Sequence, residues 1–296
     1  MQYSMLTHHA KPVTRKGVTV FLLISFAGTW LWLLFARVVL GLSSLHPLLQ
    51  LPGFCMPGIA AVVVRRWITS EGFADAGLKL HLKTAWRYYG VAWLGPPLIG
   101  AATLALAAAL GLWDPDLSGP GGLPGTKELA TVLGLMMVAL FLTPLYAGEE
   151  FGWTSYLRPR LFGGRTAPST IATGLIWAVW HFPLAFIGYA EFTNLVTGLA
   201  VWTLSFQLQE IILMWLYQRS GSVWVASLAH AGNNMVLFLI LGETLDGKAG
   251  LGTITPMLLA LAPMAVICLW LVGTRRLTRE RRLPNPLLAG HVARTD

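Results

Sequence analysis

The chain predicts an all-α protein, a polytopic membrane bundle of about eight transmembrane helices with both termini cytoplasmic. Three observations carry that prediction. Only 11% of the 296 residues are charged, 55% are hydrophobic and mean hydropathy is +0.62, whereas a soluble domain carries about 25% charged residues. The apolar residues fall in runs near the ~20 that a helix needs to cross the hydrocarbon core. Basic residues, finally, collect in every second connection between those runs, on the side that faces the cytoplasm.

Residues 1–16 are polar and read as a disordered cytoplasmic N-terminus, where His8 and His9 are too isolated to suggest a metal site. The bundle is expected over residues 17–273 and a basic cytoplasmic tail over 274–296. The run 18–40 is too long for a signal-peptide core and has no small-residue cleavage site, so it reads as a retained first span. Further spans are expected near 48–64, 89–112, 129–156, 168–187, 195–217, 222–241 and 251–272. Pro52 and Pro57 make the limits of the second one soft. Between the second and third, residues 71–89 mix charges with Leu78, Leu80, Leu82 and Trp86, a pattern suited to lying partly along the interface. The stretch 118–125 is rich in glycine but lacks the Gly-Lys-Ser/Thr ending of a phosphate loop, and reads as a flexible outer loop.

Lys11, Arg15, Lys16, Arg65, Arg66, Lys79, Lys83, Arg87, Arg158, Arg160, Arg165, Arg219 and the arginines of the tail all fall on one side. Only Lys127 and Lys248 fall on the other, with Arg37 inside a span. The net charge of +8 therefore reports orientation, with anionic lipid headgroups as partners of the tail. It gives no reason to expect nucleic acid. The expected location is an integral, multi-pass position in the plasma membrane of a prokaryote. Cys55 and Cys268 lie in apolar runs without metal-ligand spacing and read as small core residues.

Against this apolar background a few polar groups stand out. Glu149 and Glu150 end a long apolar run, and ionisable residues inside spans are functional candidates by default. Gly148 and Gly152 flank them four apart, which allows another helix to approach closely. The plainer reading pairs the two carboxylates with Arg158 or Arg160 at the interface. His181 follows Trp177 by one turn and precedes Pro183, which cannot donate to the helix and should kink it. His230 and Asn234 share a helix face with Gly232 between them, while Asn233 points elsewhere into the bundle. Taken singly, each has a structural explanation. Together, Glu149, Glu150, His181, His230 and Asn234 on three spans favour one shared site. Glu210, with Gln207 and Gln209 nearby, reads as a buried group in a structural hydrogen-bond network.

The stretches Glu149-Glu150-Phe-Gly-Trp-Thr154, Trp177-x-x-x-His181 and His230-x-x-x-Asn234 resemble the CAAX prenyl protease and bacteriocin-processing family (CPBP, also called Abi) of intramembrane endopeptidases. The signatures of that family are Glu-Glu-x-x-x-Arg, an aromatic-x-x-x-His and His-x-x-x-Asn. The resemblance covers residues 125–240. Its arginine position is Thr154 here; an arginine would pair with a glutamate one turn back, which threonine is not expected to do.

The resemblance implies peptide-bond hydrolysis in a cavity open to the cytoplasm, on a peptide or protein substrate that is prenylated in part of the family. Glu149 would activate water and Glu150 assist it. His181 would polarise or donate to the scissile amide, and His230 with Asn234 would stabilise the oxyanion. No cofactor is required by that scheme. A zinc ion held by Glu149, His181 and His230 is the alternative, ranked lower because His-Glu-x-x-His spacing is missing. The rival functions are a non-catalytic immunity or scaffold protein that keeps the old active site, which Thr154 favours, and a transporter, which no inverted repeat supports.

Overall fold

The computed structural model describes residues 15–115, 125–245 and 254–277. Residues 1–14 of the N-terminus expected over 1–16, the His8–His9 pair, most of the 118–125 loop and the tail from 278 onward lie outside the described residues, while Arg15 and Lys16 open the first helix. Among the described residues every regular element is helical, and eight helical segments are long and apolar enough to cross a membrane. They run Arg15–Val38, Pro47–Ile68, Leu82–Ala109, Lys127–Arg160, Thr166–Phe186, Leu195–Ser220, Val223–Leu245 and Thr255–Gly273. Each coincides with an expected span, with one instructive shift. Lys83 and Arg87 belong to the first two turns of the third span, which starts at Leu82 rather than near residue 89.

The elements are α1 (Arg15–Val38), α2 (Pro47–Phe54), α3 (Met56–Val63), α4 (Leu82–Ala109), α5 (Thr126–Glu150), α6 (Thr166–Phe186), α7 (Leu195–Ser220), α8 (Val223–Gly232), α9 (Leu239–Leu245) and α10 (Thr255–Gly273). The second span is split at Cys55 into α2 and α3, with Pro52 just before the break and Pro57 at the start of α3. Thr29 on α1 donates to the carbonyl of Gly53 at 2.8 Å, near this break. Pro183 is accommodated inside α6, and Trp30 of α1 donates its indole N–H to the carbonyl of Trp180 at 3.0 Å.

Among the described residues, three π-helical stretches interrupt the α-helical ladder, at Val64–Ile68, Phe151–Leu157 and Asn233–Phe238. Such widened turns concentrate at functional sites because they re-aim side chains. The last two adjoin the polar residues read from the sequence.

The Gly148/Gly152 pair does what its spacing implies, and its partner is α3. A Cβ on Gly152 would come within 2.7 Å of the Pro57 backbone, and one on Gly58 within 2.9 Å of the Gly148 Cα. Without Cβ atoms the two helices meet backbone to backbone. Aromatic rings fill the space beside this contact: Phe21 packs edge-on to Trp153 at 5.4 Å, and Trp153 to Trp180 at 5.5 Å.

Residues 69–81 form a strap across the arginine-rich end of the bundle. Arg65, fully buried, donates to the carbonyl of Gly72 and to Asp75 Oδ1, both at 2.8 Å. Ser155 Oγ donates to the Ala76 carbonyl, the Val223 N–H to Gly77, Trp224 Nε1 to Leu78 and the Tyr89 hydroxyl to Leu80. Arg160 pairs with Glu71. Gly77 sits at φ +66°, and a Cβ there would strike the Tyr217 ring at 2.8 Å. Hence 71–81 is packed against five spans, while the apolar side chains of Leu78, Leu80, Leu82 and Trp86 are exposed at the expected interface.

Burial alone would raise the Asp75 carboxyl, but the Arg65 hydrogen bond and charge outweigh it and hold it below its ordinary value. A carboxyl lowered by folding stabilises the fold above its unfolded pKa, and that contribution is lost as pH falls through the lowered value. Hydrogen exchange across 69–81 should therefore rise below about pH 4. Asp75→Asn should weaken the strap at neutral pH and flatten the acid response. Equal protection at pH 7 and in acid for the unsubstituted chain would show that Asp75 does not fasten the strap.

Candidate active site

Glu149 and Glu150 are the last two residues of α5, immediately before the π stretch Phe151–Leu157, whose seven residues are all buried. Both carboxylates are buried, at 3% and 1% exposure. An ionised group in such surroundings must be met by donors, and the two are met differently. Glu150 is held at both oxygens: Thr154 Oγ1 donates to Oε2 at 2.6 Å and His230 Nδ1 contacts Oε1 at 2.9 Å. Glu149 accepts one hydrogen bond, from Trp177 Nε1 to Oε2 at 3.0 Å. Trp153 also faces it, with an indole N–H that has no partner in hydrogen-bond geometry.

Thr154 therefore departs from the expectation set for it. It does reach Glu150, one turn back along its own helix, and supplies a neutral hydroxyl donor where an arginine would supply a charge. Nor does Arg160 take the two carboxylates. The Arg160 guanidinium lies 4.0 Å from the Tyr156 ring centre and pairs with Glu71, and that of Arg158 lies 5.9 Å from the Tyr217 ring.

Trp177 joins the rest of the constellation. Its indole N–H reaches Glu149, and its carbonyl accepts from His181 Nδ1 at 2.9 Å. Its ring packs edge-on to both His181 and His230, at 5.6 and 5.0 Å. His181 is one turn deeper than Trp177, so the tryptophan spans the difference in depth between His181 and Glu149. Because a carbonyl can only accept, the hydrogen on the neutral His181 ring is on Nδ1, leaving Nε2 as an acceptor. The ring is fixed by stacking on Phe206 at 4.3 Å and by the edge of Trp180 at 4.7 Å.

His230 is clasped between the rings of Trp177 and Tyr146, the latter at 4.6 Å. Asn234 is half-buried at the start of the following π stretch and donates Nδ2–H to the Tyr146 hydroxyl at 3.2 Å. Glu150 and Tyr146 are one turn apart on α5, as are His230 and Asn234 along the seventh span, so the two pairs form successive rungs between antiparallel helices. Asn233 donates to Gln209 Oε1 at 3.2 Å, inside the bundle as expected.

Glu210 differs from its expected role. It is 1% exposed, but neither Gln207 nor Gln209 bonds it; Gln209 donates to Ser205, and Glu210 Oε1 has no hydrogen-bond partner. It lies within electrostatic range of Glu150 and Arg158, which makes it part of the surroundings of the site.

The Nδ1 atoms of both histidines and one Glu149 oxygen are engaged, which leaves Nε2 as the atom through which either imidazole would ligate a metal. Among the described residues, no three His, Cys, Asp or Glu side chains are grouped so as to hold a metal ion.

Tyr146, Phe206 and the indole of Trp153 were not singled out in the sequence. Tyr146 had a usable signal, since it stands one turn before Glu150 on the same face; Phe206 stands in an apolar run where nothing distinguishes it.

Comparison with known proteins follows the same segment. Residues 129–236 match a family described as type II CAAX prenyl endopeptidase Rce1-like. Over 201 residues the chain is 26% identical to CAAX prenyl protease 2 of Methanococcus maripaludis, an alignment covering 64% of this chain and 70% of that protein. The matched family segment runs from α5 to the π stretch after α8 and contains Glu149, Glu150, His181, His230 and Asn234. In its motifs, in the family matched by its central spans and in this relative, the chain is similar to the CAAX prenyl protease and bacteriocin-processing family, and its eight helices long and apolar enough to cross a membrane fit an integral, multi-pass membrane protein.

Proposed function

We propose that the protein is an intramembrane endopeptidase in which Glu149 activates water. The observation that carries this reading is the unequal treatment of two adjacent buried carboxylates: Glu150 is engaged at both oxygens, while Glu149 is oriented by one indole and keeps an oxygen for other work. Glu149 takes a proton from water as the water oxygen adds to the scissile carbonyl, and returns it to the leaving amine as the C–N bond breaks. Glu150 holds His230, whose far nitrogen, when protonated, donates toward the oxyanion with its charge balanced by that carboxylate. His181 offers Nε2 as an acceptor, which suits the attacking water or the substrate N–H better than the oxyanion.

The substrate class we infer is a peptide near a chain end carrying an apolar modification. An apolar recess of about 450 Å³ lies between α3 and α5, lined by Cys55, Gly58, Ile59, Val62, Phe151 and by Gly148, the residue before Glu149. The test is hydrolysis of prenylated and unprenylated C-terminal peptides by the purified protein in detergent, with Glu149→Gln as background and with and without chelator. Turnover above that background, insensitive to chelator, supports the reading. Loss on chelation restored by zinc would keep the peptidase and reinstate the metal. Absence of turnover with retained peptide binding favours the immunity or scaffold role.

We place the arginine-rich end, which carries the 69–81 strap, on the cytoplasmic side. Reporter fusions after residues 165 and 277 should both report cytoplasm. An external signal from either would overturn the orientation.

A further inference from the structure

We propose that the Tyr146 hydroxyl donates to the oxyanion, and that Asn234 aims and polarises that hydroxyl. This inference rests on the peptidase reading above and deepens it. Asn234 is the residue that the motif would assign to the oxyanion, and one of its two amide N–H groups is engaged with the Tyr146 hydroxyl oxygen at 3.2 Å. A phenolic hydroxyl can accept and donate at once. With its oxygen occupied by Asn234, Tyr146 keeps its own O–H, for which no described residue serves as acceptor.

The position of that O–H is well defined. The ring is half-buried and packs on His230 at 4.6 Å, and the hydroxyl is held by Asn234, so ring and oxygen are fixed from two sides of α8 and its π extension. Tyr146 precedes Glu149 by three residues and Glu150 by four, which puts it on the face of α5 that carries both carboxylates. It lies within electrostatic range of Glu149 and of Tyr189, which is itself in range of Glu149. A carbonyl attacked by a water on Glu149 would therefore develop its charge near the Tyr146 hydroxyl. Accepting an N–H polarises a hydroxyl and strengthens it as a donor, so Asn234 contributes both aim and polarity to the Tyr146 O–H.

Tyr146→Phe tests this directly, because the ring contact to His230 survives and only the O–H is lost. With a hydrolysed C-terminal peptide, kcat should fall about 10²–10³-fold, the usual effect of removing one oxyanion donor. Its KM and the thermal midpoint should hold. In the Glu149→Gln background, Tyr146→Phe should leave peptide Kd within about twofold, since the contact is made only in the transition state. Asn234→Ala should lower kcat in the otherwise unsubstituted protein but add less than about threefold to Tyr146→Phe, as expected of residues acting as a unit. Tyr146→Phe turnover near that of the unsubstituted enzyme overturns the proposal, as does an Asn234→Ala factor equal in both backgrounds. Weakened binding in the Glu149→Gln background would likewise assign Tyr146 to ground-state binding and overturn it. If the unsubstituted protein has no turnover above Glu149→Gln, the peptidase reading fails and takes this proposal with it; active enzyme with unimpaired Tyr146→Phe removes this proposal alone.

Discussion

Glu149→Gln is expected to reduce peptide hydrolysis about 10²–10⁴-fold, the range supplied by a positioned general base, while the protein keeps its fold. The substitution is close to isosteric. A glutamine oxygen can still accept the Trp177 N–H now made to Glu149 Oε2 at 3.0 Å, so the indole is not orphaned and the packing of Trp177 against both histidines is retained. What disappears is the capacity to take a proton from water, and with it about 3–5 kcal/mol of barrier lowering. Glu150→Gln makes the informative contrast. Glu150 bonds Thr154 and His230 and sits at 1% exposure, so its loss should lower stability as well as rate. The pattern to measure is kcat together with the thermal midpoint in detergent: rate alone affected at 149, both at 150. If Glu149→Gln retains turnover, another group is the base. If both variants match an inactive parent while binding peptide as it does, the immunity or scaffold reading replaces the enzyme.

Those two glutamates also mark where sequence reading succeeds and where it stops. Span number and extent were legible because hydropathy and the length of a crossing are one-dimensional properties, and charge placement supplied a consistent orientation for proposal. The Gly148/Gly152 approach was legible as a need for a close neighbour, but its partner, Pro57-Gly58, was not, since the spacing of small residues on one helix says nothing about which other helix arrives. Roles inside the constellation depended on hydrogen bonds between helices. No periodicity distinguishes Glu149 from Glu150; what separates them is that π-helical continuation after α5 keeps Thr154 within 2.6 Å of one and Trp177, from α6, reaches the other. Threonine at 154 looked like a loss because the expected partner was a charge, yet at so short a separation a hydroxyl suffices to serve a buried carboxylate that already has an imidazole.

Glu210 shows the converse limit. Two neighbouring glutamines suggested a local network, but Gln209, adjacent to Glu210, faces another side of the helix and turns to Ser205 and Asn233, and Gln207, three residues away on the neighbouring face, makes no hydrogen bond to it. What Glu210 faces instead was set by the packing of α7 against the site, placing it within range of Glu150 and Arg158. Trp177 lies between these cases. Its motif was visible, but the motif presents it as an aromatic spacer before a histidine, whereas its indole and carbonyl link Glu149 to His181.

The largest stability effect is expected at His230. Its Nδ1 lies 2.9 Å from Glu150 Oε1, with both side chains only 2% exposed. His230→Ala would leave the carboxylate with the Thr154 hydroxyl alone and open a gap between the Trp177 and Tyr146 rings. Removing one partner of a buried pair costs about 3–5 kcal/mol, because the survivor stays buried without compensation. Much of that cost resides in the abandoned charge, which predicts its own remedy: Glu150→Gln in the His230→Ala background should recover part of the lost stability even though it is destabilising by itself. The coupling between the two substitutions should lie within about 0.5–3 kcal/mol, as for other contacting residues. Unfolding followed by tryptophan fluorescence in mixed micelles gives the four midpoints required. Strictly additive losses would mean that Glu150 and His230 do not hold one another, and that the histidine contributes to the fold only through its packing between the two rings. A positive coupling with no return of hydrolysis in the double variant would separate the two functions of His230, since the fold would have recovered its balance of charge while the reaction still lacked the imidazole.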